Sequence, residues 1–360
     1  MTPSEPSPEA ADELLERRAR EVEQASGALG RRLVLAVLLG VVVYGVLVVV
    51  RGASAISAEL ARFAWLSFAG ACALSLVNYG LRFLKWEYYL GVLEVRGVPK
   101  WESFACFLSG FVLTVTPGKI GEVFKSYVLY RLRGVPMVRT APVVVAERVT
   151  DLLGIIVLIT LGGATFPGGL VWAALGATAV ALLLLVIASP SVARALLAPW
   201  PRLPGVVGRV AAHVVPKIEQ GLASLRTLTS PKHLVVPSLL SILGWGLEGV
   251  GTWWVLRGFG ATLDLPKAAF SYATATLAGA LVPVPGGLGV TEKILEESMV
   301  RLGGVPGAVA TASMLLTRLA TLWFAVLVGF AALFALQLLR PGLLGARPVP
   351  KPEDPSGDKS

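Results

Sequence analysis

Six stretches of this chain, residues 33–50, 64–81, 142–161, 170–188, 234–256 and 308–338, are predominantly apolar over 18 residues or more. At about 1.5 Å of rise per residue each reaches about 27 Å or further, enough to cross roughly 30 Å of hydrocarbon, the shortest only just. No other feature limits the fold so strongly. Hydrocarbon offers the backbone no hydrogen-bond partner, so a spanning segment must satisfy its own amides, which a helix does within itself. The composition agrees: 55% of residues are hydrophobic, 15% are charged, and the mean hydropathy is +0.72. The sequence therefore predicts an all-α, polytopic integral membrane protein with about six transmembrane helices.

Two further apolar segments, 102–116 and 268–284, stop early. Helices of that length reach only about 22–26 Å. Each runs into a Pro-Gly break, "TPGKIGE" in the first and "PVPGGLGVTE" in the second, and each is followed by a helix bearing charges, 120–131 and 290–302. Each pair is expected to be a re-entrant helical hairpin that enters and leaves on one side. With that arrangement most basic residues share a side: Arg31 and Arg32 before the first run, Arg82, Lys85, Arg96 and Lys100 after the second, Arg131, Arg133 and Arg139 before the third, and the basic loop from Arg194 to Lys232. The opposite side receives Arg51, Arg62, Arg257, Lys267, Lys293 and Arg301. The bias assigns the first side to the cytoplasm, so both termini are expected there and the protein in the cytoplasmic (inner) membrane.

Residues 1–30 are expected to form a partly disordered cytoplasmic segment, rich in Pro, Ser and Glu at its start and with a short charged helix over 12–24. This lead is too long and too acidic for a cleaved signal peptide. Residues 341–360 are expected to be a disordered cytoplasmic tail.

The two hairpins align with one another. "VPK" at 98–100 matches "LPK" at 265–267; after a two-residue insertion in the second break, Glu122 matches Glu292, "GVP" at 134–136 matches "GVP" at 304–306, and Arg148 matches Arg318, all at one constant offset. Repeat one covers about 64–162 and repeat two about 234–338. Because the charge map makes the hairpins enter from opposite faces, the repeats are expected to have inverted topology. Broken helices meeting near the midplane of inverted repeats are an architecture of many secondary transporters.

A helix restarting after such a break aims free amides and the positive end of its dipole at whatever lies ahead, a ready site for phosphate. The candidate residues are Pro117, Gly118, Lys119 and Gly121 in the first break and Pro285, Gly286, Gly287 and Gly289 in the second. The glycines equally serve close packing. Glu122, Glu147, Arg148, Asp151, Glu292 and Arg318 are charges at depths where charge is costly, and Glu248 lies mid-way along the fifth run. They are expected either to contact substrate or to lock the fold, with Arg148 on Glu122 and Arg318 on Glu292. The two roles combine if a phosphate replaces the carboxylate. Glu122, Glu147, Asp151 and Glu292 are also the candidate proton carriers.

No nucleophile–base set, Walker loop or metal-ligand spacing is present, so no catalytic activity, cofactor or metal is expected. Net charge is +9, but the basic residues are dispersed between apolar runs and no nucleic-acid partner is expected. Cys72 and Cys106 read as buried thiols, and His213 and His233 as loop residues. Trp86 to Tyr89 and Trp253 with Trp254 read as an interfacial aromatic belt.

The motifs "TPGKIGEVFKSYVL", "ERVTDLLGIIVL" and "PVPGGLGVTE" together resemble the flippase-like transmembrane region of lysylphosphatidylglycerol synthases, over roughly residues 33–339. The resemblance implies a flippase-like transmembrane domain over 31–340 and movement of a membrane lipid between leaflets. Aminoacyl transfer in that family belongs to a separate soluble domain, which about twenty polar residues after Arg340 are too few to supply. The implied cargo is an anionic or phosphate-bearing lipid, a phospholipid or a polyprenyl-phosphate-linked carrier. The alternative is a non-transporting membrane partner of a lipid-modifying enzyme or glycosyltransferase, docking through the basic loop.

Overall fold

The computed structural model describes residues 52–116, 122–202, 225–282 and 284–340, with isolated positions between 42 and 49, between 204 and 222, and at 343. The first apolar run therefore lies largely outside the described residues, as do the first Pro-Gly break at 117–121 and both terminal segments.

The regular elements among the described residues are all helical, without a strand among them. The helices are α1 (Ala53–Ala61), α2 (Trp65–Val92), α3 (Lys100–Ser109), α4 (Phe124–Arg133), α5 (Met137–Gly163), α6 (Gly169–Ala188) and α7 (Pro190–Leu197). After the loop come α8 (Pro231–Gly258), α9 (Leu265–Leu281), α10 (Val290–Gly303), α11 (Gly307–Arg318) and α12 (Phe324–Leu339). A π-helical turn, Leu319–Trp323, joins α11 to α12.

Among the described residues three helices are long and apolar enough to cross a bilayer: α6, α8, and the continuous stretch Gly307–Leu339. A fourth is added if α1 and α2, bent by 89° at their break, count as one span. Helix α5 has the length, 27 residues, but carries Glu147, Arg148 and Asp151 in its middle.

Corresponding residues punctuate the two halves alike. Helices α4 and α10 end at Gly134 and Gly304, both left-handed (φ 68° and 60°), a conformation glycine adopts without a Cβ penalty. Pro136 and Pro306 then open α5 and α11, each at φ −57°. Proline tolerates this place because the missing N–H would have had no helical partner.

Packing is reciprocal as well. Helices α2 and α8 run against each other at the centre, and α5 packs along α8. Helix α9 lies on α5, while α3 and its 3₁₀ continuation Gly110–Leu113 lie on α12. Each incoming hairpin arm thus rests on the last long helix of the other half. Small residues allow these contacts: a Cβ on Gly154 would stand 2.9 Å from the Ser241 backbone, and one on Gly329 would stand 2.6 Å from the Val112 amide. Two apolar clusters flank the centre. One contains Trp86, Phe107, Leu129 and Val143, the other Trp245, Phe270, Leu295 and Met314.

Several expectations need correction. The helix of the second run extends past Leu81, three residues beyond the expected limit at Tyr89, to Val92, and carries Arg82 and Lys85 inward rather than to a membrane surface. Trp86 and Tyr89 are wholly buried in the first cluster, so they form core and not an interfacial belt. His233 stands in the first turn of α8, where its Nδ1 meets the Tyr88 hydroxyl at 2.9 Å, instead of in a loop. His213 lies outside the described residues. Cys106 is buried as expected, and Cys72 is half-buried.

Candidate functional site

Charged side chains held between the two apolar clusters form one connected network in the first half. Glu122, just before α4, accepts from Arg82 Nη2 on α2 (3.2 Å to each carboxylate oxygen) and from Arg148 Nη2 on α5 (2.8 Å). Thr114 Oγ1 adds a further bond at 3.2 Å. Arg148 Nη2 also lies 3.1 Å from Asp151 Oδ2, an ion-pair contact without hydrogen-bond geometry. Asp151 Oδ1 accepts from Lys85 Nζ (2.6 Å) and Ser241 Oγ (3.0 Å), so this carboxylate joins α2, α5 and α8. Lys85 Nζ further donates to Ser241 Oγ at 2.9 Å and to the Glu147 carbonyl at 3.4 Å. Lys125 pairs with Glu147 and sits 4.5 Å from the Trp86 ring centroid and 5.2 Å from that of Phe107. A cation stripped of water is compensated there by a carboxylate and two ring faces.

The second half holds a smaller set. Arg318 Nε donates to Glu292 Oε1 at 2.6 Å, and its Nη2 donates to the Gly286 carbonyl at 2.8 Å. The break itself is a 3₁₀ turn, Pro285–Gly287, with Gly286, Gly287 and Gly289 all at positive φ (61°, 67° and 87°). Close packing also dictates glycine here, since Gly287 lies against Gly279 of α9, where a Cβ would come within 3.0 Å of the Gly279 Cα. Glu292 turns back on its own helix and accepts the Gly289 N–H at 2.6 Å. The anion position at the start of α10 is therefore taken by a protein carboxylate, and one of the amides expected to be free is bonded. The hairpin tips meet: Val115 packs on Leu288 with Leu322 and Val326, and a Cβ on Gly286 would lie 3.1 Å from Val115.

Between the tips lies a cavity of about 260 Å³. Repeat one supplies Arg82, Thr114 and Arg148 to its wall, and repeat two supplies Tyr272, Thr291 and Arg318. Asp151 and Glu248 are its two lining carboxylates. Glu248 accepts from Asn78 Nδ2 (2.6 Å) and Ser75 Oγ (3.1 Å). Of the sequence-derived candidates, Arg148, Asp151, Gly286, Gly287 and Arg318 line the cavity. Glu122 and Glu292 stand behind it as partners of its arginines, and Glu147 is directed to Lys125. Pro285 and Gly289 shape the second break, while Pro117, Gly118, Lys119 and Gly121 lie outside the described residues. The arrangement offers three guanidiniums to one ligand, two of them converging on a single carboxylate oxygen, Glu122 Oε2. Guanidinium suits this task because its planar fork matches phosphate and carboxylate and stays charged on burial.

The positive-inside reading hid Arg82 and Lys85, and Lys125 was not singled out, yet the network requires all three. A sequence signal was available: Asn78, Arg82 and Lys85 follow at four- and three-residue steps, one polar stripe on a helix that continues past residue 81.

Residues 33–329 match the family described as the lysylphosphatidylglycerol synthase TM region. A UPF0104 membrane protein of Methanothermobacter thermautotrophicus is 25% identical over 319 residues, covering 82% of this chain and 93% of the relative. A UPF0104 membrane protein of Methanocaldococcus jannaschii is 23% identical over 225 residues, 61% of this chain and 91% of the relative. The chain, a multi-pass membrane protein, belongs to the lysylphosphatidylglycerol synthase TM region family.

Proposed function

We propose that the protein is a flippase-like transporter that carries a phosphate-bearing, anionic lipid across the cytoplasmic membrane. In this reading six helices span the bilayer, both termini are cytoplasmic, and the α3–α4 and α9–α10 hairpins enter from opposite faces as inverted repeats. The observation that carries it is a cavity shared between the hairpin tips, to which one half contributes Arg82 and Arg148 and the other Arg318. A polar chamber at the junction of two related halves is where alternating access places a substrate. Mobile loops do not supply these guanidiniums; they stand on α2, α5 and α11 and are pre-oriented by Glu122 and Glu292. A lipid phosphate entering the cavity competes with those carboxylates for the same donors. Binding then exchanges one anion for another and leaves no buried guanidinium unpaired.

The test is reconstitution of the full chain into vesicles containing headgroup- or chain-labelled phosphatidylglycerol, or labelled polyprenyl phosphate, with an impermeant quencher outside. Protein-dependent loss of the protected half of the label is expected for at least one phosphate lipid. Equal protection with and without protein across all of them removes the proposal.

A further inference from the structure

Some charges of the cavity wall are duplicated between the halves and one is not. The pairs Glu122–Arg148 and Glu292–Arg318 stand at matching positions. Glu248 stands outside that symmetry. At the offset that sets "VPK" on "LPK", Glu248 of α8 falls on Leu81 of α2, Trp245 falls on Asn78, and Gly249 falls on Arg82. A carboxylate buried in a membrane protein is costly, and Glu248 is 4% exposed. It belongs to one half, so it is no part of the repeated Glu–Arg lock. It faces the same cavity as Arg82, Arg148 and Arg318.

The neighbours of Glu248 orient it. Asn78 Nδ2 donates to Oε1 at 2.6 Å and Ser75 Oγ to Oε2 at 3.1 Å, both from α2. Asn78 is itself held in place: a Cβ on Gly244 would stand 2.4 Å from its Oδ1, so glycine at that point of α8 makes room for the amide. Asn78 and Arg82 both line the cavity and lie one turn apart, about 6 Å along the α2 axis. A phosphate on Arg82 therefore brings the group esterified to it toward Glu248. A bare phosphate has no use for this carboxylate and is repelled by it. A headgroup that carries a donor beyond its phosphate gains a charge-assisted hydrogen bond there. An ammonium would donate too, but among the described lining residues three guanidiniums already face two carboxylates, and one of these, Asp151, already accepts from Lys85 at 2.6 Å. A hydroxyl donates without adding a cation to that wall.

We infer that Glu248, oriented by Asn78 and Ser75, determines the specificity of the cavity, and that the cargo is a phosphodiester of a hydroxylated alcohol, a polyol or a sugar, whose hydroxyl donates to Glu248 while its phosphate lies on the arginines. This rests on the cavity being a phosphate-lipid site. Trp245, three residues before Glu248 on α8, and Tyr272, whose ring centroid is 6.3 Å from that of Trp245, also line the cavity and offer apolar surface to the carbons of such a headgroup.

Chain-labelled phosphatidylglycerol, phosphatidylethanol and phosphatidylethanolamine, alike except at the headgroup, test the inference when each is titrated onto the purified full chain in detergent. The first two carry the same charge and differ in hydroxyls. A hydrogen bond to a charged group corresponds to about a tenfold to hundredfold change in affinity. Phosphatidylglycerol is expected to bind more tightly than phosphatidylethanol by about that factor, and more tightly than phosphatidylethanolamine. Glu248→Gln is expected to bring phosphatidylglycerol down toward phosphatidylethanol, whereas Arg318→Lys weakens both together. Equal binding of phosphatidylglycerol and phosphatidylethanol by the parent chain, or tightest binding of phosphatidylethanolamine, overturns the inference, and neither result depends on a variant that folds. An undiminished preference in folded Glu248→Gln overturns the role of Glu248. Equal binding of the two anionic lipids leaves the phosphate reading standing; binding of neither above the level of phosphatidylcholine removes both readings.

Discussion

Arg318 Nε meets Glu292 Oε1 at 2.6 Å, and the arginine follows its glutamate by 26 residues, the same separation as Arg148 from Glu122, whose nearest contact is 2.8 Å. The pairs differ in company. Glu122 also holds Arg82, and Arg148 also faces Asp151, whereas the neighbours bonded to Glu292 are the Gly289 amide and the Tyr44 hydroxyl. A charge swap is therefore cleaner in the second half. Glu292→Arg with Arg318→Glu is expected to recover most of the melting temperature lost by either single change. Glu122→Arg with Arg148→Glu is expected to fail, because the new arginine stands beside Arg82 and the new glutamate beside Asp151. Thermal unfolding of purified protein in detergent distinguishes the two outcomes.

Lys125 and Glu147 form a pair with both side chains at 2% exposure or less. Removing one member of such a pair strands the other charge and costs about 3–5 kcal/mol, while replacing both by neutral groups of similar volume is often neutral or stabilising. Lys125→Met is expected to destabilise by that amount, and Lys125→Met with Glu147→Gln to return to near the parent value. The second half already shows the neutral solution, with Leu295 and Thr317 at the matching positions. Denaturant or thermal melts of the three variants check the sign.

Arg82 and Arg148 should separate fold from function. A hydrogen bond to a charged group is worth about 1.5–3 kcal/mol, or roughly a tenfold to hundredfold change in affinity. Arg148→Lys keeps the charge but lacks the planar guanidinium whose Nη2 meets both Glu122 and Asp151. It is expected to retain folding and lower lipid movement by about tenfold or more, and Arg82→Gln to do the same. Vesicle assays at matched protein content, with melting curves alongside, measure both quantities.

The helices of the described apolar runs and the second break were legible because they depend on local chemistry. Long apolar runs give helices, Pro-Gly interrupts them, and Gly134 and Gly304 end α4 and α10 where the repeated "GVP" placed them. The pairs Glu122–Arg148 and Glu292–Arg318 were legible because a repeated spacing of charges at membrane depth has few other uses. Arg82, Lys85 and Lys125 were not recognised for the opposite reason. A lysine near the end of an apolar run looks the same in sequence whether it reaches water or turns inward to a carboxylate. What decides is that α2 continues to Val92 and packs along α8, which places Lys85 against Asp151 and Ser241. The aromatic residues misled similarly: Trp86 has the composition of a belt residue, but its indole donates to Ser103 Oγ at 3.2 Å inside the core.

The second break offers a test in which the backbone alone is altered. Gly287 is at φ +67°, and an added Cβ would lie 2.6 Å from Thr291 Oγ1 and 3.0 Å from the Gly279 Cα. Gly304 is also left-handed, at φ +60°, but has open space around it, and Gly307, at the start of α11, has open space and no positive φ. Alanine at these positions therefore meets strain plus clash, strain alone, and neither. Backbone strain of this kind costs about 1–3 kcal/mol, and an alanine at a compatible position gains about 0.4–1 kcal/mol through the unfolded chain. The expected order of melting temperatures is Gly287→Ala lowest, Gly304→Ala intermediate, and Gly307→Ala at or above the parent. Gly287→Ala should also disturb the cavity wall, since Gly286 and Gly287 both line it and Arg318 is bonded to the Gly286 carbonyl. Lipid movement should fall further in that variant than in Gly304→Ala when the two are compared at temperatures equally far below their own melting points. Equal melting temperatures for Gly287→Ala and Gly304→Ala would show that the α9–α10 corner yields to an extra methyl group, and the close approach of Gly279 to Gly287 would then have no role in fixing the corner.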